Sequence, residues 1–429
     1  MKLFERLFKH ITLAFLLCFF APSTASSPNN EPTLQADSIE ISLLTCGPRQ
    51  QVYSLYGHTA IRFQDKQSGR DIAINYGVFS FDQPFFVLRF VFGLTDYEMG
   101  IAPFDIFEWE YGPTGCGVRQ QVLNLTAQEK MAIAQAVDRN MEPQNRVYRY
   151  NFFYDNCTTR ARDIIANNLN GRIVYDSSTP QHLNTSTPQH HNTPAQYPTF
   201  RNLIHNYNET HRWARFGNDL LLGVKADYNT TFEQQQFLPE RLCADFERAH
   251  IISADGTKRN LVSSSFWLFE PTTKQQSIQQ TNMSILDVFS PLVTFSILSI
   301  LTLIIAIVEY RRKRIIWVFD TSLMLTTGAC GLLLFAMIFS QHPTVSLNLQ
   351  ILLLNPINIF MLYSVTKAAR QNRIHWWTKA WSALILLLLA GSFLQSYAEG
   401  ITIVALSLLL RNISNIYTFK NTGSKQPKA

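Results

Sequence analysis

The chain has 429 residues, enough for one sizeable domain and a second element. Charged residues are only 16% and aromatics reach 13%, and the low charge traces to a C-terminal third that is mostly apolar. The net charge of +6 is spread unevenly and does not point to a nucleic-acid surface.

The chain starts with a targeting segment, residues 1–25. Lys2, Arg6 and Lys9 precede the apolar core Ile11 to Phe20, and Ser23-Thr24-Ala25 is a small-residue cleavage site. That core is too short to span a bilayer. The mature chain is therefore expected to begin near Ser26 and to be exported. Residues 26 to about 38 read as a polar lead-in. Ile39 to Thr45 reads as a strand. Tyr56-Gly57-His58-Thr59-Ala60-Ile61-Arg62-Phe63 reads as a strand opening at a glycine, and Asp71 to Tyr76 as its return after a turn at Gly69. That hairpin places Asn75 near His58. An aromatic run follows, from Phe79 to Tyr111, and is read mainly as core. Gly117 to Leu125 alternates like a strand. Thr126-Ala127-Gln128-Glu129 is a capping box opening a helix to about Asn140. Val147 to Phe153 alternates again and leads into a helix that starts at Cys157.

Residues 176–199 repeat TPQH and are rich in Ser, Thr, Pro, Asn and His, which marks a low-complexity insertion. Helical periodicity returns at Phe200 to Leu222 and at Phe237 to Ala249. Ile251 to Ser263 reads as a hairpin around Asp255-Gly256. The expected exported fold is α+β, a sheet with helices packed on it, over residues 26–270. A polar stalk, 271–286, leads to a bundle of about five transmembrane helices over 287–417, with spans near 287–309, 317–339, 347–365, 380–397 and 401–417. Arg311 to Arg314, the loop with Lys367, Arg370, Arg373 and Lys379, and the tail 418–429 are basic. The alternate loops carry no Lys or Arg. The positive side is expected to be cytoplasmic, which leaves residues before 286 outside. Arg411 is the main charge within the spans. This pattern speaks for anchoring and lipid binding rather than an ion path.

The chemistry centres on Cys157. Asn156 is a good N-cap, and a thiol in the first turn faces unpaired N–H groups and the positive end of the helix dipole. Arg160 and Arg162 add nearby positive charge. His58 is the best-placed base among the ten histidines. Asn75 is the candidate to orient its ring. Asp155 is a further orienting candidate. Asn156 is a candidate oxyanion donor beside its capping role, and backbone N–H groups at the helix start are expected to hold the oxyanion. Cys116, between two glycines, is a rival nucleophile with no helix start or base beside it. Cys46, Cys116 and Cys243 leave disulfide pairing open. No metal spacing is present, and no cofactor is expected.

Three runs carry a resemblance: GHTAIRFQD with NYGVFSFDQPFFVLRFVFGLTDYEM, then VRQQVLNLTAQEK, then YRYNFFYDNCTTRARDII. Together they resemble the Lnb N-terminal periplasmic domain of inner-membrane lipoprotein N-acyltransferases, over about residues 38 to 250. The order His before Cys is also similar to permuted papain-like thiol folds of the NlpC/P60 and LRAT kind. The resemblance implies an acyltransferase with His58 and Cys157 as its catalytic pair. Its partners would be a membrane-lipid acyl donor and a lipoprotein acceptor, in the bacterial inner membrane with the N-terminal domain periplasmic. Two other readings fit the residues. One is a membrane-tethered cysteine amidase or peptidase with the same dyad. The other is a non-enzymatic exported sensing or binding domain.

Overall fold

The computed structural model describes residues 36–49, 51, 54–79, 84–85, 88–89, 92–176, 197–272 and 289–420. The expected signal segment, nearly all of the insertion and most of the stalk lie outside the described residues.

In chain order the exported part contains β1 (Ile39–Cys46), β2 (His58–Asp65), β3 (Arg70–Val78), β4 (Asp96–Pro103), α1 (Phe104–Tyr111), β5 (Val118–Leu123), α2 (Ala127–Met141), β6 (Val147–Arg149), α3 (Cys157–Ala166) and β7 (Arg172–Val174). Then follow α4 (Phe200–His205), α5 (Arg212–Leu221), α6 (Pro239–Arg248), β8 (His250–Ile252), β9 (Lys258–Asn260) and β10 (Val262–Phe269). Seven antiparallel strands form the main sheet in the order β10-β5-β1-β2-β3-β4-β6, and β7-β8-β9 make a small second sheet. The domain is therefore mixed α+β.

Strand β1 shows why its sequence is apolar almost throughout. Ile39, Ile41 and Leu43 pack with residues of α2, α3 and α6, including Ile133, Ile165 and Phe246. Leu44 and Cys46 face the other way, onto Phe104, Phe107 and Tyr111 of α1. Both faces are covered, so strict alternation is lost. The β2–β3 hairpin forms as expected, with Ala60 opposite Asn75. The capping box at Thr126 and Glu129 is present. The segment 147–153 is only partly a strand: β6 ends at Arg149.

Three strands were not read from the sequence, the short β7 (Arg172–Val174) among them. β4 lies inside the aromatic run, and β10 extends the main sheet beyond the expected hairpin. The aromatic run itself is divided. Phe104, Phe107 and Tyr111 are buried, whereas Phe85 and Trp109 are exposed.

Among the described residues five helical spans are long and apolar enough to cross a membrane, the third running Leu349–Arg370 and the fourth Trp376–Phe393. Their main helices are α7 (Pro291–Arg312), α8 (Trp317–Ile338), α9 (Ile357–Arg370), α10 (Trp376–Ala390) and α11 (Ile401–Lys420). The third span is broken. A 3-10 turn at Leu349–Leu352 precedes α9, and Pro356 stands at the helix start. Arg411 is not alone in the bundle: it pairs with Glu309 at 2.7 Å and also with Asp320, and Asn415 donates to Glu309. A buried guanidinium in such a place needs these partners.

The exported part is joined to the bundle by polar contacts. Arg201, 1% exposed, donates to Asp219 at 2.8 Å and to Asp227 at 2.9 Å. From the bundle side, Gln350 donates to the Asp219 carbonyl and Gln395 to the Leu222 carbonyl. The Ser396 N–H donates to Asp227.

Candidate active site

Helix α3 starts where Asn156 caps it. Asn156 Oδ1 accepts from the N–H groups of Thr158 and Thr159, both at 2.9 Å. Its Nδ2 donates to the carbonyls of Phe152 and Phe237, both at 2.9 Å. Both amide hydrogens are thus committed, which removes Asn156 as an oxyanion donor. It fixes the helix start instead. Because its oxygen takes the N–H groups of Thr158 and Thr159, the N–H of Cys157 is the first-turn donor left for a ligand.

The hairpin supplies the partner groups. Extending the register, His58 stands opposite Gly77. Gly77 has φ +99°, and a Cβ there would lie 3.8 Å from the Cys157 Cβ. The missing side chain makes room for the thiol beside the imidazole. Gly57, at φ +78°, lets the chain turn into β2 where a Cβ would come within 2.6 Å of the Cys46 carbonyl. His58 Nε2 donates to Asn75 Oδ1 at 3.1 Å, so Nδ1 is the nitrogen left for the thiol, and Cys157 is the electrostatic partner of the ring. The hydroxyls of Thr59 and Thr158 meet at 3.0 Å and tie β2 to α3. These two threonines each follow a candidate catalytic residue in the sequence, and that adjacency was the available signal for them.

Burial pushes the Cys157 thiol up. The His58 charge and hydrogen bond outweigh it, helped by the Thr59 N–H and the Thr158 hydroxyl, and bring the thiol down to about 7 from 9.0. For His58, burial acts to lower its basicity, but Cys157 and then Asn75 raise it above its ordinary value. The arginines expected to help are engaged elsewhere. Arg160 is bidentate with Asp155, at 2.6 and 2.8 Å, and lies over the Tyr148 ring; Arg162 holds Asp163 and the Glu233 carbonyl. Asp155 therefore holds Arg160 rather than orienting His58.

A cavity of about 370 Å³ opens on this group. His58, Asn75 and Cys157 line it with an aromatic wall that includes Phe79, Tyr97 and Tyr150. Tyr97 stacks on Tyr150 at 4.1 Å and meets Phe79 at 4.8 Å. Burial pushes the Tyr97 phenol up to about 12, so it stays protonated. A thiolate with a base, an oriented ring and an aromatic-walled cavity is equipped for nucleophilic attack on an acyl group.

Residues 27–203 match the Lnb N-terminal periplasmic domain, and residues 280–422 match the Lnb transmembrane domain, in that order. The chain belongs to the Lnb family. It is a bacterial membrane protein with a periplasmic domain. No curated protein and no solved structure matches it. All five candidate residues, His58, Asn75, Asp155, Asn156 and Cys157, fall within the Lnb periplasmic match.

The other thiols of this Lnb chain are differently placed. Cys46 and Cys243 are buried, and burial pushes both up. Cys116 is buried and accepts from the Thr114 hydroxyl at 3.1 Å. Cys46, Cys116 and Cys243 are all unpaired as disulfides. Among the described residues no group of His, Cys, Asp and Glu has the arrangement of a metal site. His205 hydrogen-bonds Asp219 at 2.8 Å, away from the thiol cavity.

Proposed function

We propose that this Lnb protein is a membrane-bound lipoprotein N-acyltransferase that works through a Cys157 thioester. The single observation that carries the reading is the juxtaposition of His58 and Cys157 on one aromatic-walled cavity, with Asn75 bonded to the ring, in a domain fastened to an apolar bundle. On this reading the exported domain is a permuted papain-like thiol fold, the bundle holds it at the outer face of the inner membrane, and the C-terminus is cytoplasmic.

His58 Nδ1 takes the thiol proton, and the thiolate attacks the carbonyl of a lipid ester. The negative oxygen that forms is held by the Cys157 N–H at the positive end of α3. The C–O bond breaks, the imidazolium gives its proton to the leaving alkoxide, and a lipid alcohol departs. The α-amine of an S-diacylglyceryl cysteine then attacks the thioester. His58 takes the amine proton, the C–S bond breaks, and an amide and the free thiol result. The aromatic wall excludes water, which otherwise opens the thioester. Asn75 keeps Nδ1 aimed at sulfur throughout.

The test is mass spectrometry of a diacyl lipoprotein N-terminal peptide, from cells without other N-acyltransferases. Intact protein is compared with Cys157→Ser and His58→Ala at matched expression. The expected result is an added N-acyl mass with the intact protein and none with either variant. Persistence of that mass in Cys157→Ser overturns the nucleophile assignment. Its absence with the intact protein overturns the transferase reading and leaves a hydrolase with water as acceptor.

A further inference from the structure

Next to the thiol cavity lies a second and larger one, of about 770 Å³. Gly47, Tyr56, Gly57 and Pro239 line both, so a molecule with its reacting end at Cys157 has the second cavity beside it. The linings differ in proportion. The thiol cavity is walled mainly by Tyr and Phe side chains, with Arg49 and Glu110 as its charged pair. The second presents Arg119 from β5 and, along one face of α6, Glu240, Glu247 and Arg248. Arg119 donates to the Ser265 hydroxyl at 2.8 Å, stands 3.7 Å from Glu247, and lies 5.8 Å from the centre of the Trp267 ring. The Nε of Arg248 is buried and has no hydrogen-bond partner among the described residues.

Four charged side chains at this wall, against Arg49 and Glu110 alone in the thiol cavity, favour the more polar occupant here. An alkyl chain against them displaces water and returns no hydrogen bonds. A peptide offers N–H groups to the carboxylates and carbonyls to the guanidinium groups. Trp267 adds a flat apolar surface at the same wall. It belongs to β10, the edge of the main sheet, which among the described residues pairs with β5 alone. An edge strand receives an extended segment through its main-chain groups. The volume lies within the usual range for a ligand site.

We propose that the second cavity is the acceptor site, holding the first few residues that follow the lipid-bearing cysteine, while the aromatic cavity takes the acyl chain. The proposal rests on the acyl-transfer reading above. It makes the enzyme a reader of the acceptor's peptide, through hydrogen bonds to backbone, as well as of its lipid.

Ala244 lines the second cavity and is exposed, so Ala244→Trp fills the space without entering the core. The full chain, in phospholipid vesicles that serve as donor, is given two acceptors. One is S-diacylglyceryl-cysteine amide alone; the other carries a short peptide after the cysteine. The Cys157 thioester is read by mass spectrometry after an acid quench, and the N-acyl product is read separately. With the intact protein, KM for the peptide-bearing acceptor is expected to be about tenfold lower than for the bare one, the scale of a few added hydrogen bonds. In Ala244→Trp that advantage is lost while thioester formation is unchanged. If Ala244→Trp abolishes the thioester, the cavity holds the acyl chain and the proposal is overturned. Equal kinetics for both acceptors in both proteins overturns it as well. If the intact protein makes no thioester at all, the acyl-transfer reading has failed, and binding of a fluorescent peptide-bearing acceptor decides the cavity alone. Binding weakened about tenfold by Ala244→Trp supports it, and unchanged binding rejects it.

Discussion

His58, Asn75 and Cys157 depend on one another, and the dependence is measurable. The thiol at about 7 is held down chiefly by the imidazole. Its thiolate fraction therefore rises as pH rises through about 7, and alkylation of Cys157 by iodoacetamide should follow with a midpoint there. In His58→Ala the main lowering cause is gone while burial remains, so the midpoint should move up, past the ordinary 9.0. Peptide-resolved mass spectrometry against pH checks this, and an unmoved midpoint would falsify the pair. Asn75→Ala removes one hydrogen bond to the ring. It should cost about 1 kcal/mol in kcat/KM, roughly fivefold, with the protein still folded. These three residues were legible in the sequence because a tight hairpin brings Asn75 to His58 and a cap precedes Cys157. The fates of Arg160 and Arg162 were not, since Asp155 and the Glu233 carbonyl capture them through rotamers that no spacing encodes.

At the scale of the element, α3 is held at its start by one side chain. Asn156→Asp keeps the cap acceptor but loses both donors to the Phe152 and Phe237 carbonyls. Asn156→Ala loses the cap as well. Cap loss alone costs about 1 kcal/mol, and each carbonyl left buried adds about 1–3 kcal/mol. Thermal unfolding should therefore rank the intact protein above Asn156→Asp and Asn156→Ala lowest; equal midpoints for the two variants would show that the cap contributes nothing. Strong local patterns made β1, the β2–β3 hairpin and α2 readable. β4 was hidden because DYEMGIAP lies in an aromatic run that drowns its alternation. β10 was hidden because three serines follow its first residue, Val262, and its apolar half, Phe266 to Phe269, runs without the alternation that marks a strand. The break before α9 is marked in the sequence only by Asn355-Pro356, inside a stretch apolar enough to read as one continuous span.

Across the whole molecule, the joint between exported domain and bundle turns on Arg201. With Arg411 it is among the largest fully buried side chains of the described residues, and two carboxylates hold it. Arg201→Met leaves Asp219 and Asp227 without their shared cation and should destabilise the protein by about 3–5 kcal/mol. By contrast Arg212→Ala, at the half-exposed pair with Glu399, should cost about 1 kcal/mol. Limited proteolysis in detergent separates the two cases: Arg201→Met should release the exported part early, and Arg212→Ala should not. None of this joint was legible in the sequence, since Asp219 meets Gln350 and Leu222 meets Gln395 across long separations in the chain. A joint of that kind turns an anchor into a ruler. With the domain held by these contacts, the sulfur keeps one position relative to the helices of the bundle. On the acyl-transfer reading proposed above, an amine tethered by its own lipid tails reaches the sulfur only if its short leash matches that position, so reach acts as a first filter before any peptide is read.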